Sequence, residues 1–438
     1  MVNSLFVDLN DERVGKLILN RGEMRFEYAE EWLRSPLVRS LSRSLPVTQR
    51  VHEGKAVEDY FGNLLPDNPE TLKRIAGNLR LGTLGVFEIL EAIGGDCVGA
   101  VRLYPAASGE RPASESGYRL LDDSEIERIL SELTAYPLGL RADDDFRISV
   151  AGAQQKTAFL KRPEGWALPL GTMPTTHIFK TPIGSLQGNT VDFSESCENE
   201  WLCLEIARAF GLSTASAELH RFGSQKALVV ERFDRILGRL DGRILRRLTE
   251  DCCQALSVPA HLKYEADGGP GIAEIMALLS ESADPETDRR TFMAAQVLMW
   301  LLNSTDGHAK NYSVLVSKND VFRLAPLYDI LSAEPLAATG GLNGRKLKLA
   351  MGLSGKNRHC RTAEIEPRHF ISTAEAVDFP TDEMRGILRM FAEKTEEVVK
   401  EVRSRLPEDF PAAVSEPIFT LMAARAAKIA VYLRVTGG

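Results

Sequence analysis

The order of apolar and polar residues along the chain predicts a mixture of strands and helices. Two short apolar runs, residues 5–9 and 15–19, flank a polar turn and are typical of an opening β-hairpin. Apolar residues then recur at helical spacing over residues 69–92. Residues 123–133 predict a further helix with acids in its first turn, which complement the helix dipole. The pattern therefore favours an α+β protein.

The middle of the chain is dominated by strand patterns. Residues 146–160 predict two strands joined by a loop of small and polar residues, with Lys156 entering the second strand. Residues 175–180 predict a strand that ends in Lys180, and residues 227–230 predict another. These strands follow one another closely and belong to one region of the fold.

From about residue 250 the pattern is largely helical. A strongly apolar segment, residues 292–302, precedes a polar loop and a short strand-like run at residues 312–316. An amphipathic helix is predicted over about residues 382–405. A last helix is predicted to start near Pro417, read as a proline at the first helical position.

A polar stretch of small residues, 106–117, is the best linker candidate. It predicts a β-rich N-terminal subdomain at residues 1–105. A second region at 117–248 and a helical region at 249–438 would follow.

The composition is that of a soluble globular protein with 438 residues, 44% hydrophobic residues and a net charge of −8. The negative charge argues against broad, non-specific nucleic-acid binding. Acids at positions 8, 11 and 12 interrupt any signal-peptide core, and no apolar run reaches the length of a membrane span. Six cysteines without CxxC spacing favour a reducing, cytoplasmic compartment.

The stretch at residues 304–311 carries the clearest candidate chemistry. Asp306 and Asn311 stand five residues apart on a loop between helix and strand, and a further acid, Asp329, follows a hairpin-like segment. An Asp and an Asn at this spacing are common in turns. In kinase chemistry, however, the Asp accepts the proton of the attacking hydroxyl while the Asn and a later Asp bind Mg²⁺.

Upstream residues occur in the order of a kinase N-lobe. This order predicts a bilobal protein-kinase-like fold, with a kinase N-lobe at 117–248 and a helical C-lobe at 249–438. The loop at 151–156 has small residues that let the backbone approach phosphates, and Lys180 is placed to grip them. A helix that opens with Glu198 and Glu200 offers an acid for the lysine, with Glu200 the preferred partner. Residues 231–233 lie where a hinge would bind adenine through its backbone. The absence of a GxxxxGK[ST] motif disfavours a Walker-type nucleotide fold.

Plainer interpretations stand beside these. No second His/Asp cluster accompanies His308, so a structural histidine is favoured over a two-metal hydrolase site. Lys156 fits a solvated strand end equally well, and Ser149 fits an ordinary loop hydroxyl. A cluster of arginines surrounds the predicted hairpin turn at residues 240–242, and a solvated hairpin face is its favoured interpretation. The cluster consists of Arg235, Arg239, Arg243, Arg246 and Arg247.

Eight stretches together resemble the HipA family, bacterial serine/threonine kinase toxins of type II toxin–antitoxin systems. So many matches in one order are highly specific. They are residues 61–67, 95–100, 148–154, 174–177, 230–234, 267–271, 305–311 and 347–352.

The resemblance implies that Asp306 is the catalytic base, that Asn311 and Asp329 bind Mg²⁺, and that Ser149 is an autophosphorylation site. Phosphate on Ser149 would expel the phosphate loop and switch the kinase off. The residues that the resemblance places at ATP are Ala151, Gly152, Ala153, Gln154, Gln155, Lys156, Lys180, Glu231, Arg232, Phe233, His308, Lys310, Asn311, Tyr328 and Asp329.

The resemblance also implies partners. The substrate would be an aminoacyl-tRNA synthetase, typically glutamyl-tRNA synthetase, whose phosphorylation halts translation and produces dormant, persistent cells. A HipB-like helix-turn-helix antitoxin dimer would link the chain to operator DNA as co-repressor, at the nucleoid within the cytoplasm. The chain departs from the family at residues 373–379, where Glu375 and Asp378 would repel DNA phosphates.

Two other functions fit parts of the pattern. A small-molecule kinase of the aminoglycoside type would transfer phosphate to a sugar or amino alcohol and label no protein. A non-catalytic co-repressor would bind ATP for structure alone. The intact set of Lys180, Asp306, Asn311 and Asp329 weighs against the second of these.

Overall fold

The computed structural model describes residues 3–108, 117–141, 146, 148–152, 154–186, 191–237 and 243–437. Most of the predicted linker, Ala153, Arg239 and the turn at residues 240–242 lie outside these residues. Within them, strands and helices are interspersed along the whole chain. None of the described helices is both long enough and apolar enough to cross a bilayer.

The strands of the described residues are short, and the last of them ends at Arg361. They are β1 (Asn3–Leu9), β2 (Glu12–Asn20), β3 (Glu23–Tyr28), β4 (Val51–Glu53), β5 (Val101–Pro105), β6 (Tyr118–Leu121), β7 (Lys156–Arg162), β8 (Gly165–Pro169), β9 (His177–Lys180), β10 (Gly184–Leu186), β11 (Val191–Phe193), β12 (Ala217–Phe222), β13 (Gln225–Glu231), β14 (Arg235–Leu237), β15 (Ile244–Arg246), β16 (Leu248–Asp251), β17 (Ser313–Val316), β18 (Phe322–Leu324), β19 (Lys348–Leu353) and β20 (His359–Arg361).

The two longest α-helices of the described residues are the last two. The α-helices are α1 (Glu30–Leu33), α2 (Lys55–Gly62), α3 (Pro69–Asn78), α4 (Val86–Ile93), α5 (Asp123–Ser131), α6 (Ser196–Ala209), α7 (Cys252–Ala255), α8 (Ile272–Leu279), α9 (Pro285–Leu301), α10 (Glu334–Ala338), α11 (Pro367–Ala376), α12 (Thr381–Arg405) and α13 (Ala412–Val435).

The chain divides into two compact units, each assembled from three segments. The first unit contains Met1–Thr181, His220–His261 and Ser313–Phe322. The second unit contains the remaining segments, Pro182–Leu219, Leu262–Tyr312 and Arg323–Gly438.

Two antiparallel sheets form the framework of the first unit. The N-terminal sheet has the order β4-β3-β2-β1-β5, and its β1–β2 pairing confirms the predicted opening hairpin, with Asn10 at the turn in the left-handed region at φ 53°. The second sheet runs β13-β9-β7-β8-β6, and β12 extends it from His220 onward. One continuous apolar core joins both sheets, from Leu5 and Phe26 through Phe146 to Phe179.

The second unit is mainly helical. The long helices α12 and α13 pack on each other and on α6 and α9. Aromatic contacts mark these helix interfaces: Phe210 packs on Phe391 with ring centroids 4.6 Å apart, and Trp300 packs on Phe370 at 5.6 Å. The amphipathic pattern predicted for residues 382–405 is confirmed, because the apolar face of α12 is buried.

Three local predictions need correction. Residues 69–92 form two helices rather than one, because α3 ends at Asn78 and α4 begins only after Gly85. Residues 148–150 form no strand, although Lys156 does begin β7 as predicted. The last helix begins after Pro411, so Pro417 lies inside α13. A proline there removes one helical hydrogen bond, and packing against α12 outweighs that loss.

The prediction of a solvated arginine hairpin is wrong for two of its members. The side chains of Arg235 and Arg246 are only 3% and 4% exposed. Each binds an oxygen of Asp96, at 2.8 Å from Arg235 and 3.0 Å from Arg246. Their burial depends on a carboxylate more than a hundred residues away in the sequence. The local pattern of residues therefore could not predict it.

These residues belong to a buried ionic cluster in the first unit, made of Asp96, Asp234, Arg232, Arg235 and Arg246. Arg232 binds Asp234 through two nitrogens, at 3.0 and 2.8 Å. Burial by itself would raise the pKa of Asp96, but the three arginines outweigh burial and hold that pKa well below its ordinary value. Both carboxylates therefore stay ionised.

A second buried acid, Glu250, shows the opposite balance. It accepts hydrogen bonds from the Ser42 hydroxyl and the Arg43 backbone. Burial raises the pKa of Glu250 to about 7, from an ordinary value of 4.5, despite these bonds. Because the folded chain then binds this proton more tightly than the unfolded chain, the stabilisation is complete below pH 4.5 and is lost as pH rises through about 7.

We therefore expect Glu250→Gln to change the pH dependence of stability. Relative to the variant, the wild type should lose on the order of 3 kcal/mol of unfolding free energy between pH 5 and pH 8. Chemical denaturation at both pH values measures this difference. A difference between the two proteins that does not change with pH would contradict the assignment.

Candidate active site

The loop that carries Asp306 lies in the second unit and directly follows α9. The chain leaves this helix through Asn303, in the left-handed region at φ 56°. The Asp306 side chain is 53% exposed, whereas residues 307–311 are buried. A buried loop with one exposed carboxylate is a suitable mount for a general base, because its backbone is held while the acid faces outward.

Hydrogen bonds inside the loop explain its shape. The backbone N–H of His308 and the Nδ2 of Asn311 both donate to the Asp306 carbonyl, each at 2.8 Å. The Ala309 N–H donates to the Lys263 carbonyl at 3.2 Å, which anchors the loop to the preceding segment. The hydrogen bond from Nδ2 orients the Asn311 side chain and leaves Oδ1 as the atom that it offers as a ligand.

Asp329 stands on a neighbouring loop of the same unit. Its backbone adopts the left-handed region at φ 58°, a conformation that Asp tolerates better than most residues. The hydroxyl of Tyr328 donates to the Lys310 carbonyl at 2.7 Å, so the two loops are tied together just before Asp329. The structure thus brings the predicted residues Asp306, Asn311 and Asp329 onto linked loops.

Helix α6 is connected to the segment after Asp329 by a pair of reciprocal bonds. The Asn199 amide donates to the Ser332 carbonyl, and the Ser332 N–H donates to the Asn199 Oδ1, both at 2.8 Å. Sequence reasoning missed both residues, although Asn199 lies between the two acids it had considered. Glu198 and Glu200 are buried in the second unit and Lys180 belongs to the first, so their pairing stays a prediction.

In the first unit, the loop before β7 is held by its own side chains. The Lys156 Nζ donates to the Ala151 carbonyl at 2.8 Å, and the Gln154 amide donates to the Thr181 carbonyl at 2.8 Å. Gly152 has φ 105°, and a Cβ there would lie 2.5 Å from the Lys156 Nζ. A side chain at this position would therefore be both strained and obstructed.

Lys156 and Lys180 are direct partners in the antiparallel β7–β9 register, and each is 7% exposed. Directly opposite residues project from the same face of a sheet. Two cations on one face, beside a loop with a glycine, concentrate positive charge where phosphate oxygens could bind. This placement favours a phosphate-binding role for Lys156 over the alternative of a solvated strand end.

Ser149 is fully buried in this conformation. Its hydroxyl donates to the Leu64 carbonyl at 2.6 Å, and its N–H donates to the Asp96 carbonyl at 2.9 Å. A phosphate could not be added to a hydroxyl in this position without movement of the segment. Residues 61–67 and 95–100, two of the motifs noted in the sequence, therefore hold the candidate phosphorylation site.

The segment predicted to bind adenine begins with Glu231, the last residue of β13. Glu231 is exposed and lies opposite His177 in the β13–β9 register. The Arg232 N–H donates to the Thr176 carbonyl at 2.9 Å, and its side chain is committed to the buried ionic cluster. The N–H and the guanidinium of Arg232 thus stabilise the fold. The acid two residues later, Asp234, is the feature of the sequence that could have indicated this structural role.

Known proteins resemble the chain over most of its length. Two family models match: the HipA N-terminal domain over residues 5–104 and the HipA-like C-terminal domain over residues 148–402. The chain is 35% identical over 324 residues to Y4mE, a candidate kinase of Sinorhizobium fredii, covering 73% of this chain and 74% of the relative.

It is also 26% identical over 344 residues to the serine/threonine-protein kinase toxin HipA of Shewanella oneidensis, covering 76% of this chain and 75% of that protein. A solved structure of HipA, HipB and operator DNA from Shewanella oneidensis contains a chain with a TM-score of 0.80, 24% identity and 96% coverage of both chains. This structural likeness confirms the predicted fold class.

Proposed function

Because the chain belongs to the HipA family of serine/threonine-protein kinases, we propose that it is an ATP- and Mg²⁺-dependent kinase toxin that phosphorylates an aminoacyl-tRNA synthetase. The observation that carries the proposal is the loop around Asp306. There an exposed carboxylate stands on a buried backbone that Asn311 holds in place. Phosphoryl transfer needs such positioning more than it needs covalent chemistry from the protein.

Each residue of the set has a distinct role in this proposal. Asp306 orients the acceptor hydroxyl and takes its proton, and Lys180 binds phosphate oxygens. The backbone of residues 151–156 and the Lys156 ammonium neutralise further phosphate charge. Backbone groups of residues 231–233, apart from the Arg232 N–H that is bonded to the Thr176 carbonyl, bind adenine. His308, Lys310 and Tyr328 shape the loops proposed to lie beside the nucleotide. The hydrogen bond from the Tyr328 hydroxyl to the Lys310 carbonyl supports this role for two of them.

The residues present fit Mg²⁺ and ATP by their donor chemistry. Asn311 and Asp329 offer hard oxygen ligands, which Mg²⁺ prefers, and nucleotide phosphates usually complete its coordination. We propose an ion shared between these two side chains and a nucleotide. The ion would neutralise charge on the transferring phosphoryl group.

We propose that Ser149 is the site of autophosphorylation and that its burial makes the reaction a switch. Its hydroxyl is held on the Leu64 carbonyl, so transfer requires the segment to leave that position. A phosphoserine carries nearly two negative charges and three bulky oxygens, which the buried position cannot accept. Modification would therefore trap the segment outside and disable the adjoining loop.

We expect Ser149→Ala to abolish autophosphorylation while leaving ATP binding intact. Intact-mass analysis with ATP and Mg²⁺ should show one added phosphate on the wild type and none on the variant. Ser131→Ala is a matched control, since this exposed serine lies at the end of α5 and bonds only its own helix. A full phosphate on Ser149→Ala would refute the site assignment.

The same experiment, with purified glutamyl-tRNA synthetase added, tests the substrate. Phosphate on the synthetase, with loss of tRNA charging, supports a toxin that halts translation and produces persistent cells. Transfer to a free sugar or amino alcohol with no labelled protein would instead indicate a small-molecule kinase. ATP binding without any transfer, from a preparation with an unmodified starting mass, would indicate a co-repressor without catalysis.

The proposed partner is a HipB-like helix-turn-helix antitoxin dimer, through which the chain would act as co-repressor at operator DNA. The related HipA of Shewanella oneidensis was solved with HipB and its operator. Such a complex would place this cytoplasmic chain at the nucleoid. Direct contact with DNA is disfavoured at the end of α11, where Glu375 and Asp378 are exposed.

A further inference from the structure

A tyrosine side chain, Tyr264, contacts the candidate base Asp306. None of the roles proposed above for the kinase reaction involves this tyrosine. The Tyr264 hydroxyl donates a hydrogen bond to the Oδ1 of Asp306. Both residues belong to the second unit. A half-buried phenol on an exposed carboxylate is unusual as a purely structural contact, because water could satisfy both groups at little cost.

The backbone of Tyr264 is held on both sides. Its carbonyl accepts hydrogen bonds from the Asp267 N–H at 3.1 Å and the Gly269 N–H at 3.0 Å. Gly269 approaches the chain so closely that a Cβ there would lie 1.8 Å from the Leu262 carbonyl oxygen. The Asp-Gly-Gly-Pro-Gly stretch at 267–271, one of the motifs noted in the sequence, thus fixes the backbone that carries the tyrosine.

The next residues anchor the same segment to its surroundings. The Lys263 carbonyl receives the Ala309 N–H, which joins the tyrosine segment directly to the Asp306 loop. On the other side, the Glu265 carboxylate accepts the Gly352 N–H at 2.6 Å and pairs with Arg358. The phenol is therefore carried by a rigid turn rather than by a mobile loop.

The ring is also fixed in orientation. His308 packs edge-on against Tyr264, with ring centroids 4.9 Å apart and planes at 88°. The His308 Nε2 lies 4.0 Å from the same Asp306 oxygen, and this histidine is 4% exposed. Tyr264 and His308 thus approach the carboxylate together, and the two rings brace each other.

From this geometry we infer that Tyr264 is a positioning residue for the catalytic base, which fixes the rotation of the Asp306 carboxylate. The inference rests on the proposed kinase function. A carboxylate held at one oxygen presents the other in a defined direction, which a reacting hydroxyl can use without reorganisation.

The test compares Tyr264→Phe with wild type, using phosphate incorporated into the chain and added glutamyl-tRNA synthetase over a range of ATP concentrations. We expect the rate constant at saturating ATP to fall about tenfold, with the KM for ATP unchanged. This split is expected because the lost hydrogen bond frees the carboxylate to rotate, while the residues proposed to bind ATP keep their contacts. Tyr432→Phe, half-buried on α13, is the matched control and should leave both readouts unchanged.

The outcomes separate this inference from the function beneath it. No transfer by the wild type overturns the proposed function and the inference with it. An active wild type with an unchanged rate constant in Tyr264→Phe overturns the inference alone. So does a faster variant, which would mean that the phenol occupies the acceptor position and obstructs substrate. A variant with weaker ATP binding or a lower unfolding temperature would assign the tyrosine a structural role instead.

Discussion

Replacing Asp306 with asparagine should abolish measurable phosphoryl transfer while the protein stays folded and binds ATP. The variant keeps the size of the side chain and an oxygen for Tyr264, but an amide cannot take a proton from the acceptor hydroxyl. General-base catalysis contributes about 10²–10⁴-fold to rates, so the loss should fall in that range. Toxicity in cells should disappear with the activity.

Intact-mass analysis and transfer of labelled phosphate measure the effect. Asp409→Asn is a matched control, because this acid is exposed between α12 and α13, remote in sequence from the candidate loops. Its activity should equal that of the wild type. If Asp306→Asn still labelled protein at the wild-type rate, the assignment of the base would be wrong, whatever its effect on ATP affinity.

Replacing Asp96 with asparagine should be among the most destabilising single changes in the first unit. The carboxylate is fully buried and faces Arg232, Arg235 and Arg246, leaving Asp234 as the other acid of the cluster. Removal of one member of a buried ionic group leaves uncompensated charge in a medium that solvates it poorly. Such changes cost about 3–5 kcal/mol of unfolding free energy.

Thermal and denaturant unfolding of Asp96→Asn beside Asp409→Asn measure this loss, and the surface control should change stability by less than about 0.5 kcal/mol. Because the Asp96 carbonyl also holds the Ser149 N–H, we expect earlier exposure of that segment to proteases in the variant. A stability loss for Asp96→Asn as small as that of the control would show that the cluster is solvated in solution.

Local signals in the sequence predicted the elements that depend on near neighbours. The β1–β2 hairpin follows from two apolar runs around a polar turn, and α12 follows from its helical apolar spacing. The spacing of Asp306 and Asn311 likewise predicts that both lie on one loop, and in the structure the Asn311 side chain is hydrogen-bonded to the Asp306 carbonyl. Their proposed chemical roles remain to be tested by the variants above.

Predictions failed where a distant partner changed the meaning of a residue. Five arginines around one turn look like a solvated face, yet Arg235 and Arg246 are buried because Asp96 neutralises them from another segment. Pro417 looks like the start of a helix, yet α13 begins earlier because its packing outweighs the loss of one hydrogen bond. Tyr264 carried no signal at all, since nothing near it in sequence indicates a carboxylate 42 residues away.

Periodicity, turn chemistry and motif spacing act over a few residues, and they are enough to predict the α+β class, the family and the order of the candidate residues. Three findings required the folded chain: Arg232 serves a buried ionic cluster, Ser149 is held by the Leu64 carbonyl, and Tyr264 contacts Asp306. Burial, ion pairing and hydrogen bonding depend on which distant segments the fold brings together. A charged or hydroxyl side chain has the same local pattern whether it meets water or a partner, so its role follows only from the packed chain.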